Sequence, residues 1–385
     1  MDSFLDHAWM TPDHRAHADA VRRFLAEEYQ PNRARWTEAG VVDRAFWRKA
    51  GEQGILGASI PEDHGGLGLP RTFDLVTFLE QGRIGDSGWG ISVHNIVLHY
   101  VASIATPDQQ ARWLPRLVSG EWIGAIAMTE PGTGSDLQAV RTTALKNGNE
   151  YVLSGSKTFI TNGQNADFIL VVAKTDPAAG GRGISLIALE TDGAEGFRRG
   201  RKLDKMGMRR QDTSELFFDD VRVPRSNLVG DAEGRGFAQL MTQLPWERLI
   251  LAYLALGASR CALRHTLAHV RQRKAFGQRL MDMQNTRFKL AEVATEIEVL
   301  AAFADKLTAE FQAGTLTPER AAMAKMWSTE MQGRTVDTCL QLHGGYGYMN
   351  EYPIAELYAD ARVQRIYGGA NEIMREIVAR SLDRD

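Results

Sequence analysis

The stretch WIGAIAMTEPGTGSD, residues 122–136, divides the chain. Before it the sequence reads as helix; after it, short apolar runs alternate with turns. Residues 123–128 are β-branched and small apolar side chains running into a Gly-rich segment, the pattern of a strand entering a loop. Similar runs recur at 150–153, 168–174, 183–189 and 215–223, separated by turns such as Asn147-Gly148-Asn149 and Ala179-Gly180-Gly181. Short strands at this spacing predict an antiparallel barrel or sandwich, not a series of βαβ units.

Upstream, residues 16–29 and 43–54 are amphipathic at helical spacing. A Gly-rich break spans 61–70, and helices are expected over 72–82 and 92–105. His94 and His99 fall on different faces of the last of these and read as packing histidines. Downstream of Gly236 the chain turns helical again, with long runs at 245–270, 284–312 and 318–342 and shorter ones at 354–362 and 372–381. Long helices with short connections predict a bundle. The order is helical, β, helical, giving domains over residues 1–121, 122–235 and 236–385.

Composition narrows the function classes. The chain has 385 residues, 44% apolar and 24% charged, which suits a globular protein of several domains. A net charge of −3 with scattered basic residues argues against nucleic acid as a partner. The two cysteines, Cys261 and Cys339, lie in helical segments without a CxxC partner, so neither a disulfide framework nor a thiolate metal site is expected. His265 and His269, four apart on a helix, lack an evident third ligand, and no metal site is assigned. No apolar run reaches the about 20 residues that span a bilayer. Residues 1–10 contain no Lys or Arg, and the expected setting is cytoplasmic.

Five segments carry the chemistry. The first is residues 127–136, where glycines and short hydroxyl side chains let backbone approach a planar ligand. A plain turn after a strand is the competing reading. The second, Phe159-Ile160-Thr161-Asn162-Gly163, pairs an aromatic face with a hydroxyl, and reads equally as a strand entering an Asn-Gly turn. The third, Arg273-Lys274-Ala275-Phe276-Gly277 with Gln284 beyond, suits a pyrophosphate, or else a helix end capped by Gly277. The fourth is residues 341–348, which also fits a helix C-terminus with a glycine cap. The fifth, Ile366-Tyr367-Gly368-Gly369-Ala370-Asn371-Glu372-Ile373, is a Gly loop leading into a helix, whose free N–H groups can bind a carbonyl or phosphate.

Together these segments resemble the acyl-CoA dehydrogenase family, in order and over nearly the whole chain, with the long-chain subgroup the nearest likeness. The resemblance implies an α+β multidomain fold: a helical N-terminal domain, a middle antiparallel β-barrel and a C-terminal four-helix bundle. It implies FAD and a homotetramer. Ile126, Ala127, Met128, Thr129 and Ser135 would line the flavin and the thioester. Phe159, Ile160 and Thr161 would pack on the isoalloxazine. Arg273, Phe276, Gln284, Gln341, Leu342, His343, Gly344 and Gly345 would bind FAD from the adjacent subunit. Ala370, Asn371 and Glu372 would complete its site, and Ser135, Pro245, Trp246, Arg248 and Gly369 would contact substrate. Residues 90–102 would form the floor of the acyl pocket. The chain departs from the common pattern at Thr133 for Ala, Phe159 for Trp and Ala370 for Thr.

The departure that matters is Gly368, which stands where many relatives carry the catalytic Glu. A subgroup that includes the long-chain and isovaleryl enzymes places the base on another helix, and this chain has Leu244-Pro245-Trp246-Glu247-Arg248-Leu249 there. The residues support this independently. Pro245 fits a first helical position, and residues 249–258 are apolar almost all round, so Glu247 is expected near the mouth of a buried helix. A first-turn acid complementing the helix dipole is the competing reading. The implied reaction converts a medium- or long-chain or branched acyl-CoA to its trans-2-enoyl form. Glu247 takes the α-proton, hydride goes to flavin N5, and Gly368 N–H holds the thioester carbonyl. Electrons would pass to an electron-transferring flavoprotein. Rival readings are a carrier-protein-bound substrate and a flavin-binding scaffold without catalysis.

Overall fold

The computed structural model describes residues 7–86 and 88–383; residues 1–6 of the N-terminal segment used above for location fall outside them. The N-terminal helices are α1 Pro12–Phe24, α2 Arg33–Ala39, α3 Arg44–Glu52, α4 Thr72–Arg83, α5 Ile91–Ile104 and α6 Pro107–Val118. Two of them, α2 and α6, were not anticipated. Yet α6 carries a capping box from Thr106 to Gln109 with a proline in its first turn, a legible start signal.

Seven strands then form one sheet: β1 Gly124–Ala127, β2 Thr143–Asn147, β3 Glu150–Thr161, β4 Phe168–Lys174, β5 Ile184–Glu190, β6 Phe197–Lys202 and β7 Thr213–Pro224. The middle β domain is present as expected, but its sheet is mixed. β1 and β2 pair parallel with β4, while β2–β3, β3–β7, β6–β7 and β4–β5 are antiparallel. No hairpin follows β1; the chain leaves it through a long Gly-rich loop, so nothing forces it antiparallel to its neighbour. The strand path from β1 to β6 is open.

The C-terminal helices are α7 Gly236–Gln272, α8 Gln284–Gln312, α9 Pro318–His343, α10 Pro353–Ala361 and α11 Asn371–Ser381, with a short hairpin, β8 Lys274–Ala275 and β9 Gln278–Arg279, between α7 and α8. Helix α7 is the axis of the molecule, packing on α4, α5, α8, α9 and α10. It approaches α4 through glycines: a Cβ on Gly257 would stand 2.4 Å from the Leu79 carbonyl and 2.9 Å from Gly82 Cα.

One expectation is corrected here. Pro245 does not begin a helix; it lies inside α7, nine residues after its start at Gly236. The missing N–H leaves the carbonyl of Met241 without its intrahelical donor, a cost of about 3 kcal/mol in an isolated helix. Packing overrides it, because Leu240 and Trp246 on either side are buried in separate apolar clusters. Glu247 is therefore an interior residue of a long helix and does not complement a helix N-terminus.

One buried cation ties the three parts together. Arg210, just before β7, donates to the Tyr29 hydroxyl at 2.9 Å and to Asp86 at 3.2 Å, and also pairs with Glu356 of α10. Removing one partner would leave a buried uncompensated charge.

Candidate active site

The Gly-rich loop after β1 is held from beneath. Lys157 of β3, fully buried, donates to the Met128 carbonyl and to Glu130 Oε1, each at 2.9 Å. Glu130 also accepts from the backbone N–H groups of Arg141 and Thr142 at 2.7 and 2.9 Å. Burial lowers the Lys157 ammonium to about 8 despite this partner. Thr158 N–H donates to the Thr129 carbonyl at 2.9 Å, which joins β3 directly to the loop. Ile126, Ala127, Met128 and Thr129 thus lie beside Ile160 and Thr161, while Ser135 sits exposed at the loop's tip.

Between Lys157 and Ile160 the β3–β7 register shifts. The bulge turns Phe159 outward at φ 60° with its ring 67% exposed. A non-glycine residue in the left-handed region is strained, and here the strain leaves an aromatic side chain exposed.

The second predicted set is elsewhere on the chain. Phe276 and Gly277, at φ 53° and 77°, are the two turn residues of the β8–β9 hairpin, so Gly277 does not cap a helix. The Phe276 ring is 96% exposed. The Arg273 guanidinium lies 5.6 Å from the ring centre of Tyr346, which brings the hairpin base to the end of α9. There Gln341 is exposed, Leu342 is half-buried, and His343 is buried and stacked on His269 at 4.3 Å. Gly344 and Gly345 are open, with nothing within 4 Å of a would-be Cβ. Gln284 begins α8, exposed. Among the described residues no hydrogen bond or ring contact joins this set to Phe159 and the β1 loop.

The third group converges on α7. Glu247 is 7% exposed, and burial pushes its carboxyl up to about 7 against the usual 4.5. The Tyr100 hydroxyl of α5 donates to its Oε1 at 3.0 Å. Its neighbour Arg248 is buried, with Nε unpartnered and one donation to the Pro318 carbonyl at 3.5 Å. Trp246 is wedged between Asn95 and His99 of α5 and Phe311 of α8. Pro245 is half-buried.

Against the same face of α7 lies the loop before α11. Gly368 and Gly369 take φ 62° and 92°. A Cβ on Gly368 would stand 2.6 Å from Cδ1 of Leu251, one turn beyond Glu247. Lys325 of α9 holds this loop, donating to the Gly369 carbonyl at 2.6 Å and to Asn371 Oδ1 at 2.8 Å. Burial, with Arg248 nearby, lowers Lys325 to about 8. Asn371 Nδ2 donates to Thr329 and Glu330, so its side chain is occupied within the chain. Ala370 is the N-cap of α11, and Glu372 is exposed in its first turn.

Sequence reasoning did not single out Tyr100, Lys157 or Lys325. A lysine inside a strand or helix gives no sign that it is buried, although Tyr100 falls within the predicted pocket floor. The packing roles expected of His94 and His99 hold. His94 accepts from Gly124 N–H at 2.9 Å and donates to the Leu117 carbonyl at 3.0 Å, and His99 pairs with Asp74 at 2.9 Å. Both cysteines are buried thiols. Among the described residues no group of three or more His, Cys, Asp or Glu could hold a metal ion, and no helix is long and apolar enough to cross a membrane.

The helical block, the β sheet and the long-helix bundle are the three parts of the acyl-CoA dehydrogenase fold. The chain belongs to the acyl-CoA dehydrogenase family. Models of that family's N-terminal, middle and C-terminal domains match residues 11–121, 125–221 and 234–382. The chain is 48% identical to the long-chain specific acyl-CoA dehydrogenase, mitochondrial, of Mus musculus, over 97% of this chain and 87% of that one. It is 34% identical to the isovaleryl-CoA dehydrogenase, mitochondrial, of Pongo abelii, over 98% and 90%. Its fold is similar to that of a solved acyl-CoA dehydrogenase from Geobacillus kaustophilus, with TM-score 0.96 and 46% identity, covering 98% of this chain and 100% of that one. The protein is an enzyme of this family, whose cofactor is FAD.

Proposed function

We propose that the chain dehydrogenates a medium- or long-chain or branched acyl-CoA to the trans-2-enoyl-CoA, with Glu247 as the base. The carrying observation is a buried carboxylate raised to about 7, one helical turn from the residue that Gly368 touches. A base poised near neutrality is suited to removing a weakly acidic proton. The loop position that could have carried a carboxylate instead holds a glycine pressed on α7.

The residues fit FAD. Phe159 offers an exposed ring at a strained bulge, and Gly344 and Gly345 offer open backbone. Thr129 and Thr161 would supply hydroxyls near Phe159, with the half-buried Ile126 and Met128 against the ligand, while Ala127 and Ile160, buried in the sheet's core, would offer backbone only. Arg273, Phe276, Gln284 and Gln341 to Gly345 form a separate surface that would serve a neighbouring subunit's FAD in a homotetramer. FAD, when bound, would supply the acceptor for the β-hydrogen, and an electron-transferring flavoprotein would take up the electrons.

The chain's own residues do the rest. Glu247 removes the α-proton from a site that excludes water. Among the described residues the Gly368 N–H has no hydrogen-bond partner, and it would hold the thioester carbonyl as charge develops, a contribution of about 3–4 kcal/mol for one preorganised donor. Lys325 fixes that loop by its grip on Gly369 and Asn371. Arg248 keeps a cation beside the carboxylate, and Ser135, Pro245 and Trp246 border the substrate. The setting is cytoplasmic in this proposal, with boundaries near residues 121 and 235.

Anaerobic titration with short, medium, long and branched acyl-CoAs tests the reading. Flavin absorbance bleaches with the longer or branched members. A colourless protein, or no bleaching with any of them, rejects it.

A further inference from the structure

Tyr100 is a fully buried phenol on α5, in a different part of the chain from the bundle that carries Glu247. Its hydroxyl reaches Glu247 Oε1 at 3.0 Å, and no other side chain among the described residues is hydrogen-bonded to that carboxylate. The α5 helix is itself fixed at this level. Asn95 accepts from the Trp246 indole at 3.3 Å, and the His99 ring meets Trp246 at 5.4 Å. His99 in turn is held by Asp74 at 2.9 Å and Ser59 at 3.2 Å. Tyr100 therefore does not follow Glu247; it presents a donor at a set position.

An ionised carboxylate only accepts, so the proton of this hydrogen bond belongs to the tyrosine. Burial, then the nearby Glu247 charge, raises the phenol well above its usual range and keeps that proton in place. Oε1 thereby accepts a fixed donor, while among the described residues Oε2 has no hydrogen-bond partner. The other charged groups near the carboxylate are Arg248 beside it on α7 and Lys325 of α9, which lies near Arg248. The Gly368–Ala370 loop brings no titratable group.

We infer that Tyr100 is a positioning residue that holds Oε1 of Glu247 and leaves Oε2 as the single acceptor of the substrate's α-proton. The inference rests on Glu247 being the base. In the step, the Cα–H bond breaks, its electron pair stays on the substrate, and the proton forms an O–H bond at Oε2. Tyr100 donates to Oε1 before and after, so nothing at the carboxylate has to rotate. That is the geometry of a preorganised base.

The test compares Tyr100→Phe with Glu247→Gln in the FAD-loaded enzyme, following the rate of flavin bleaching across pH under anaerobic conditions. Tyr100→Phe keeps the ring and removes only the donor. Its acidic limb moves up by about 1 pH unit, the size of one lost charge-assisted hydrogen bond, and its plateau rate falls about tenfold. Tyr100→Met, which fills the space without a donor, shows the same shift of the limb. A purely packing role for the ring leaves the limb where it is in Tyr100→Phe, and that outcome overturns the inference. Bleaching by Glu247→Gln at the wild-type rate overturns instead the assignment of the base, so the two failures are told apart.

Discussion

Gly368 packs against Leu251 so closely that a Cβ there would lie 2.6 Å from Leu251 Cδ1, at a backbone φ of 62°. Leu251 is one turn from Glu247 on α7, so a side chain at 368 would meet the helix that carries Glu247. The glycine fits this chain because the space beside it already belongs to the helix.

Gly368→Ala is expected to destabilise the protein by about 1–3 kcal/mol through left-handed strain and the clash. Leu251→Ala alone also destabilises, by leaving a cavity. The double variant costs less than the sum by about 1 kcal/mol, because the small side chain at 251 makes room. Urea denaturation of the four proteins measures the coupling; strict additivity would show that the two residues do not press on each other.

Glu247 lowers stability at high pH. Its folded pKa of about 7 lies above the usual 4.5, so folding favours the protonated form. The contribution is fully present below about 4.5 and is lost as pH rises through 7. Glu247→Gln, neutral at every pH, should therefore be more stable than wild type above pH 8, by at most roughly 3 kcal/mol, and similar to it at pH 5. Thermal melts at the two pH values check the sign.

Lys157→Met should cost about 3–5 kcal/mol and weaken FAD retention, because it strands buried Glu130 and frees the Met128 carbonyl. The double variant Lys157→Met/Glu130→Gln removes both charges and should recover part of that loss. Flavin content after gel filtration reads the effect on the loop; unchanged content in the single variant would show that the clamp does not shape the cofactor surface.

His94 gives the fold an acid limit. Burial holds its imidazole down to about 4, and both nitrogens are engaged by backbone. A depressed pKa contributes stability above the usual 6.5 that is lost as pH falls toward 4. Wild type should weaken across that window, and His94→Gln should show a shallower fall from a lower starting stability. Denaturation midpoints at pH 7, 6 and 5 test it.

The long helices were legible because burial imposes periodicity: α8 falls on residues 284–312 and β4 on 168–174, as expected from sequence. β2, TALKN, and β6, FRRGRK, were not, since their exposed polar residues carry no alternation and their pairing comes from β3 and β7. Pro245 misled because local propensity marks a helix start, whereas the tertiary core carries α7 through it. The carboxylate proposed as the base could be picked out from what stands at 368 and 247. Its partner Tyr100 was not, because a contact across that much sequence leaves no spacing signal.

The central claim is that Glu247 takes the substrate proton, and rapid anaerobic mixing of FAD-loaded Glu247→Gln with an acyl-CoA that bleaches wild type tests it most directly. The account predicts that the variant still binds FAD and substrate but bleaches at least about a thousandfold more slowly, the loss expected of a missing general base. Bleaching of Glu247→Gln within a fewfold of the wild-type rate would contradict it and place the base elsewhere.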